Sequence, residues 1–394
     1  MERRGDRSGA HGGGLFGAVL SLLVGVGSDR LRRRPFLIGY EIVSLLAAGA
    51  ILVTARPVAL ASAAIIAGFG RGANGAAGPF APAEQAWLAE AVAPPRRAWV
   101  YSVNAALGFF GMGVGALLAT LPSLWRSWLG AALAYRPLFA LVGMAAIGNL
   151  FLLAGAREHY QHRPSLTDPE GGVRRRENRI LGRLVLINGF NGFAIGLTGP
   201  LLSYWFALRF RVGPGAIAPV MAAAFLITGL STLLAGRLTQ SIGIVRSVVW
   251  SRMIAVLLLV LLPLMPVYWL ASLVYLLRSA FNRASVGARQ AMTVGLVRDE
   301  RRGLATSLDA VSMQLPRSAG PSLAGYLLDM GCFTAPFLVA AALQAAYVLL
   351  YGRTFRDYEP GELEEIEDTG DERVRTAPVT SADEAPRRVD RPPT

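Results

Sequence analysis

Three arginines stand deep within apolar runs of this sequence: Arg71, Arg278 and Arg317. A charge inside an apolar segment of bilayer length is costly, and it faces a cavity or a partner. The three therefore read as a cationic lining that binds an anionic group or answers to a nearby acid. An arginine hydrogen-bonded to carbonyls at a helix break is the structural alternative for each. Two acids, Glu41 and Asp309, stand inside such runs near one end. Burial would raise the pKa of either into the range of a proton carrier; an ion pair with a loop arginine would give it a purely structural role. Asn188 and Asn191 are three apart, on one helical face, and Tyr204 and Trp205 follow on the same run. Amides among apolar and aromatic walls suit a medium-sized amphipathic solute, and equally suit helix-to-helix hydrogen bonds.

The residue inventory excludes several other chemistries. All 39 basic residues are arginine. Without lysine there is no phosphate-binding Walker lysine, Schiff base or lysine general base. The three histidines, His11, His159 and His162, lie outside the apolar runs, and Cys332 is the single cysteine, so no intramolecular disulfide forms. No nucleophile is paired with a base and no metal-ligand cluster stands out. The expectation is a protein that is not an enzyme and uses no cofactor or metal.

The elements that position these side chains follow from composition. Apolar residues make up 53% of the 394 positions and charged residues 16%, with a mean hydropathy of +0.43. A soluble domain is about one quarter charged, so this is a polytopic membrane protein. The net charge is +13 and the pI about 10.7. The arginines lie in short loops between apolar spans, so the partner they imply is a bilayer with anionic headgroups and not nucleic acid. A monomer is expected.

A membrane helix needs about 20 mainly apolar residues. Eleven spans are expected, near 13–28, 36–55, 58–79, 98–121, 135–155, 180–208, 215–236, 244–264, 267–289, 303–330 and 333–352. They give a polar segment 1–13, an N-terminal bundle of five spans over 14–155, a central cytoplasmic loop 156–179, a C-terminal bundle of six spans over 180–352 and an acidic cytoplasmic tail 353–394. Alternate loops hold Arg30, Arg32, Arg33 and Arg34; Arg96 and Arg97; Arg157, Arg163, Arg174, Arg175, Arg176 and Arg179; Arg237 and Arg246; Arg298, Arg301 and Arg302; and Arg353 and Arg356. The opposite loops hold Arg56, Arg126, Arg136, Arg209 and Arg211. Arginine is retained on the cytoplasmic side, which predicts a multi-pass plasma (inner) membrane protein with a cytoplasmic C-terminus. From Asp357 onward the chain carries 12 acids and 5 arginines.

The first basic turn reads Gly25-Val-Gly-Ser-Asp29-Arg30-Leu-Arg-Arg33-Arg34. It resembles the loop between the second and third helices of the major facilitator superfamily, with Arg32 where that family has a second glycine. Gly236 and Gly243 bracket a second copy in which Gln240 matches Asp29. The halves also repeat at an offset of 205: Gln85-Ala86 with Arg96-Arg97 answers Gln290-Ala291 with Arg301-Arg302, and Ser102 and Asn104 align with Ser307 and Asp309. Arg71 and Arg278 fall in matching helices. Arg71-Gly-Ala-Asn74 resembles the fourth-helix arginine motif of proton-exchanging members.

The resemblance implies an all-α fold of two pseudo-symmetric helical bundles that rock about a midplane site, with the two glycine-rich turns as conformational latches. Because the opening turn resembles the one after the family's second helix, it also implies a chain lacking the first. The function it implies is secondary transport of a small-molecule substrate by alternating access, with proton-coupled efflux or antiport of amphipathic, drug-like compounds as the nearest branch. Uptake or exchange of an organic anion is the alternative favoured by the deep arginines, and a truncated, non-transporting membrane partner is the alternative from another class.

Overall fold

The computed structural model describes residues 20–28, 33–54, 80–130, 133–156, 172–199 and 201–356, with isolated positions between 56 and 78. The described residues form helices and turns, with no strand. In chain order the helices are α1 (20–28), α2 (Arg33–Val53), α3 (Ala81–Ala91), α4 (Pro94–Leu118), α5 (Pro122–Leu129), α6 (Arg136–Gly155), α7 (Gly172–Thr198), α8 (Leu202–Phe210), α9 (Pro214–Ile242), α10 (Ile244–Leu261), α11 (Tyr268–Ala284), α12 (Val286–Gly295), α13 (Arg302–Asp329) and α14 (Ala335–Phe355). Seven stretches among them are long and apolar enough to cross a membrane by length and composition, counting α7 and α8 as one.

Proline sets many of the starts. It occupies the first or second position of α3, α4, α5, α6, α9 and α14, where its missing N–H leaves no helical bond unmade. Between α9 and α10 the chain turns at Gly243, whose φ of +86° is open to glycine and strained for other residues.

The helices form two bundles. In the second, α7 lies between α13 and α14, while α10 packs on α11 and α14. The closest crossing joins α7 to α13. A Cβ on Gly192 would collide with the Met313 carbonyl, one on Gly196 with the Arg317 carbonyl, and one on Gly320 with the Gly196 backbone. Small residues at helical spacing let the two backbones touch. One core cluster gathers Leu197, Trp205, Phe206, Leu259, Leu328 and Phe337. Another, at the arginine-rich end, gathers Ile180, Leu184, Met292, Tyr347, Tyr351 and Phe355. Large apolar side chains such as Leu46, Trp128, Phe151, Leu234, Leu257 and Trp269 remain exposed on the outer surface, as on a protein solvated by hydrocarbon.

The bundles meet where α4 packs along α9 and α12, and where α3 packs on α13. At the arginine-rich end this contact is close. Ala89, Ala98 and Tyr101 of the first bundle bury against Ala291 and Val294 of the second, and Thr306 Oγ1 donates to the Pro82 carbonyl at 3.3 Å. The two bundles therefore pack together at that end.

Several boundaries differ from the sequence reading. Residues 80–97, expected as a loop, contain α3 and the start of α4; about three alanine-rich turns over Ala81–Ala91 are enough for a buried helix. The expected span 267–289 breaks at Ser285, where Gly287 lies against the Ser102 backbone. The central loop yields its last residues to α7, because Gly172–Thr198 continues a helical Arg/Glu face beyond the apolar run.

Candidate functional site

Between the bundles lies a cavity of about 170 Å³. The second bundle supplies its charge: Arg252 from α10, Arg278 and Arg283 from α11, Arg289 from α12, and Asp309 and Arg317 from α13. The first bundle supplies Gln85 from α3 and Phe109 from α4. Tyr275, Met313 and Ile195 complete an apolar side. Five arginines thus face one carboxylate.

Their partners divide them. Arg252 Nη1 donates to Asn282 Oδ1 at 2.8 Å and Asn191 Oδ1 at 3.3 Å, and its guanidinium lies 5.5 Å from the Tyr347 ring centre. Arg289 Nη2 reaches Met313 Sδ at 2.9 Å, and its guanidinium also faces Tyr347. Arg283 lies between two rings, 5.6 Å from Phe109 and 5.7 Å from Phe225. Cation–π contacts fix its position without neutralising it. Among the described residues, the guanidinium groups of Arg278 and Arg317 have no hydrogen-bond or ion-pair partner, and Arg278 is 7% exposed with its Nε buried and unsatisfied. Asp309 accepts from Asn188 Nδ2 at 2.8 Å and, at the limit of hydrogen-bond length, from Thr293 Oγ1 at 3.5 Å.

The site gathers some of the residues singled out in the sequence and leaves others elsewhere. Arg278, Asp309 and Arg317 share the cavity. Asn188 and Asn191 are fully buried behind it and orient Asp309 and Arg252. Tyr204 does not line the cavity: it is 47% exposed. The chain breaks between α7 and α8, which turns Trp205 inward to donate to the Phe333 carbonyl at 3.0 Å and Tyr204 outward. Asn104 does not line it either; its Nδ2 donates to Glu84 Oε1 at 2.8 Å within the first bundle. Glu41 accepts from Asn149 at 3.2 Å, between α2 and α6. Arg71 and Asn74 lie outside the described residues, as do Asp29 and Arg30.

After the first basic turn, Arg33 pairs with Glu90 at 2.5 Å and donates to the Ala86 carbonyl at 2.9 Å. Arg34 donates to the carbonyls of Leu153 and Ala154 on α6. A Cβ on Gly25 would overlap Ser307 Oγ, and one on Gly236 would lie 2.6 Å from Ser102 Cβ. Gly243 has open space around it and serves the turn.

Three cavity arginines, Arg252, Arg283 and Arg289, were not among the sequence candidates. The available signal was their number: Arg252 interrupts an apolar run, and Arg283 and Arg289 fall within the span expected over 267–289. Gln85 and Gln290 both line the cavity, and the repeat had already paired them.

A two-bundle helical membrane protein with a charged cavity at the bundle interface is the architecture of a secondary transporter. The sequence profile of the Major Facilitator Superfamily matches residues 184–387, and the chain belongs to that superfamily. No curated protein matches the sequence. Solved structures share the fold at low identity. A bacterial homologue of the iron transporter ferroportin in an outward-facing state is 15% identical, with a TM-score of 0.67 over 87% of this chain and 88% of that one. The E. coli fucose:proton symporter FucP is 11% identical, with a TM-score of 0.73 over 88% of this chain and 90% of that one. The human organic anion transporter MFSD10 is 19% identical, with a TM-score of 0.63 over 87% of this chain and 83% of that one.

Proposed function

We propose that the protein is a secondary transporter of a small organic anion, working by uptake or exchange. One observation carries this reading: five arginines and one carboxylate line a single cavity, and Arg278 and Arg317 have no partner among the described residues. Unpaired charge away from water is costly, so the arrangement is one that an anionic solute would complete. Arg278 and Arg317 would take the anionic group, while Phe109, Tyr275 and Met313 would take the organic body. Two of the fold relatives are named for an organic anion and for a proton-coupled sugar, and both chemistries fit the groups present. Efflux of drug-like amphipathic compounds has weaker support, because a cationic cavity repels the cationic members of that class.

Asp309 is the acid best placed to couple a proton to this cycle. It shares the cavity with the arginines. With the arginine-rich end taken as cytoplasmic, the end where the bundles pack together is the inner one. Alternating access then begins with the anion arriving from outside.

The test is flux in proteoliposomes under an imposed pH gradient, with panels of organic mono- and dianions, neutral sugars and cationic dyes. Saturable anion flux that Arg278→Gln abolishes is the expected result. Dye movement without anion movement, unaffected by that substitution, would overturn the proposal.

A further inference from the structure

A second hollow, of about 1050 Å³, opens at the arginine-rich end, away from the cavity. Pro94, Pro95 and Arg96 at the start of α4 form one wall. The α9–α10 turn from Thr239 to Arg246, with Trp250, forms another, and Gly352 and Arg356 at the end of α14 close the third side. Among the described residues three arginines line it and no carboxylate does. Among the described residues, the side chains of Arg96, Arg246 and Arg356 have no hydrogen-bond or ion-pair partner. Two other basic turns differ: Arg33 is held by Glu90, and Arg298 and Arg301 by Glu177.

The chain itself carries the matching charge. The residue after Arg356, a wall of the hollow, is Asp357. The sixteen residues from Asp357 to Glu372 contain nine acids and no arginine. We infer that this acidic segment docks in the hollow of Arg96, Arg246 and Arg356 and ties the two bundles together at that end. Reach is sufficient, since an extended chain covers about 3.3–3.6 Å per residue; Glu359, Glu362, Glu364 and Glu365 all lie within roughly 30 Å of Arg356 along the chain. Tethering supports the contact further, because a short linker gives a local concentration on the order of millimolar. A free anionic headgroup has no such advantage. Since α4 belongs to the first bundle and α10 and α14 to the second, a docked segment opposes their separation, so it is a brake on opening at the arginine-rich end.

The test uses the full chain in an uncharged detergent, with Cys332→Ser and the cysteine pair Gln240→Cys and Leu363→Cys. Mild oxidation at low salt is expected to form the disulfide. It should fall to the level of a control pair, Ser123→Cys with Leu363→Cys, in 1 M salt, where the screening length shrinks to about 3 Å. It should fall equally in Arg96→Glu with Arg246→Glu. A quadruple tail variant, Glu359, Glu362, Glu364 and Glu365 each to Gln, leaves the folded helices untouched and should also reach the control level. A cross-link that persists through salt and both variants, or one that never exceeds the control, would overturn the inference. So would phosphatidylglycerol binding that needs Arg96 and Arg246 while the cross-link is absent, because the hollow would then hold lipid headgroups. None of these readouts depends on transport.

Discussion

Gly25 of α1 lies so close to Ser307 of α13 that a Cβ on the glycine would overlap the serine hydroxyl, which itself donates to the Ser21 carbonyl at 2.9 Å. The second half repeats the relationship, with Gly236 of α9 against Ser102 of α4. The repeat offset of 205 pairs Ser102 with Ser307, so the two contacts are pseudo-symmetric partners across the bundle interface. Each places a glycine on one bundle against a serine on the other. Both Gly25→Ala and Gly236→Ala are expected to weaken the contact between the bundles at that end by roughly 1–3 kcal/mol, the usual cost of overpacking. Labelling of a cysteine placed at Ala89 should report greater access in both variants, and more in Gly25→Ala, where the glycine contact is tighter.

Arg278→Gln and Arg317→Gln should separate binding from stability. A charge-assisted hydrogen bond contributes about 1.5–3 kcal/mol, so each variant should lose roughly 10- to 100-fold in affinity for an anionic substrate. Neither arginine has a hydrogen-bond or ion-pair partner among the described residues, so the melting temperature without substrate should hold or rise. Isothermal titration beside a melting curve measures both.

Asp309→Asn keeps the hydrogen bonding to Asn188 and removes the proton site. Substrate counterflow, which needs no net proton movement, should continue. Uptake driven by a pH gradient should fall to the level of empty liposomes. Equal loss in both assays would assign Asp309 to substrate binding instead of coupling.

Glu177 is 2% exposed and accepts from the Arg298 backbone and guanidinium and from Arg301 Nη1, at 3.0, 3.3 and 2.5 Å. It ties the start of α7 to the turn before α13. Glu177→Gln removes the carboxylate that both arginines share, leaving Arg301 only its bond from Nη2 to Asn178 Oδ1 at 2.6 Å. The loss is expected to be about 1–3 kcal/mol, below the full figure for a buried pair because both arginines remain partly solvated. Thermal unfolding in detergent should show the loss, with Arg301→Gln losing less.

Several features of the fold were legible because they are local. Membrane solvent demands a run of about 20 apolar residues for each crossing, so α2, α6, α9, α10 and α14 announce themselves in hydropathy. Arginine stays in the turns because moving it through hydrocarbon is costly. α3 was hidden: a short alanine-rich helix containing Glu84, Gln85 and Glu90 has too little apolar character to read as a crossing, and its burial comes from packing against α13, α2 and α12.

By itself, the sequence determined that this chain is an all-helical membrane protein in two related halves, with its basic turns alternating along the chain and a few charges inside its apolar runs. Those facts depend on each segment's own transfer energy and on internal repetition. Only the tertiary structure decided which charges meet. Arg252, Arg278, Arg283, Arg289 and Arg317 come from four helices, and their convergence depends on the glycine-mediated crossing of α7 and α13 and on the break at Ser285. The same break between α7 and α8 that buries Trp205 sends Tyr204 to the outer surface. Helical periodicity fixes which residues share a face, but the neighbour that face meets is set by contacts between segments far apart in the chain.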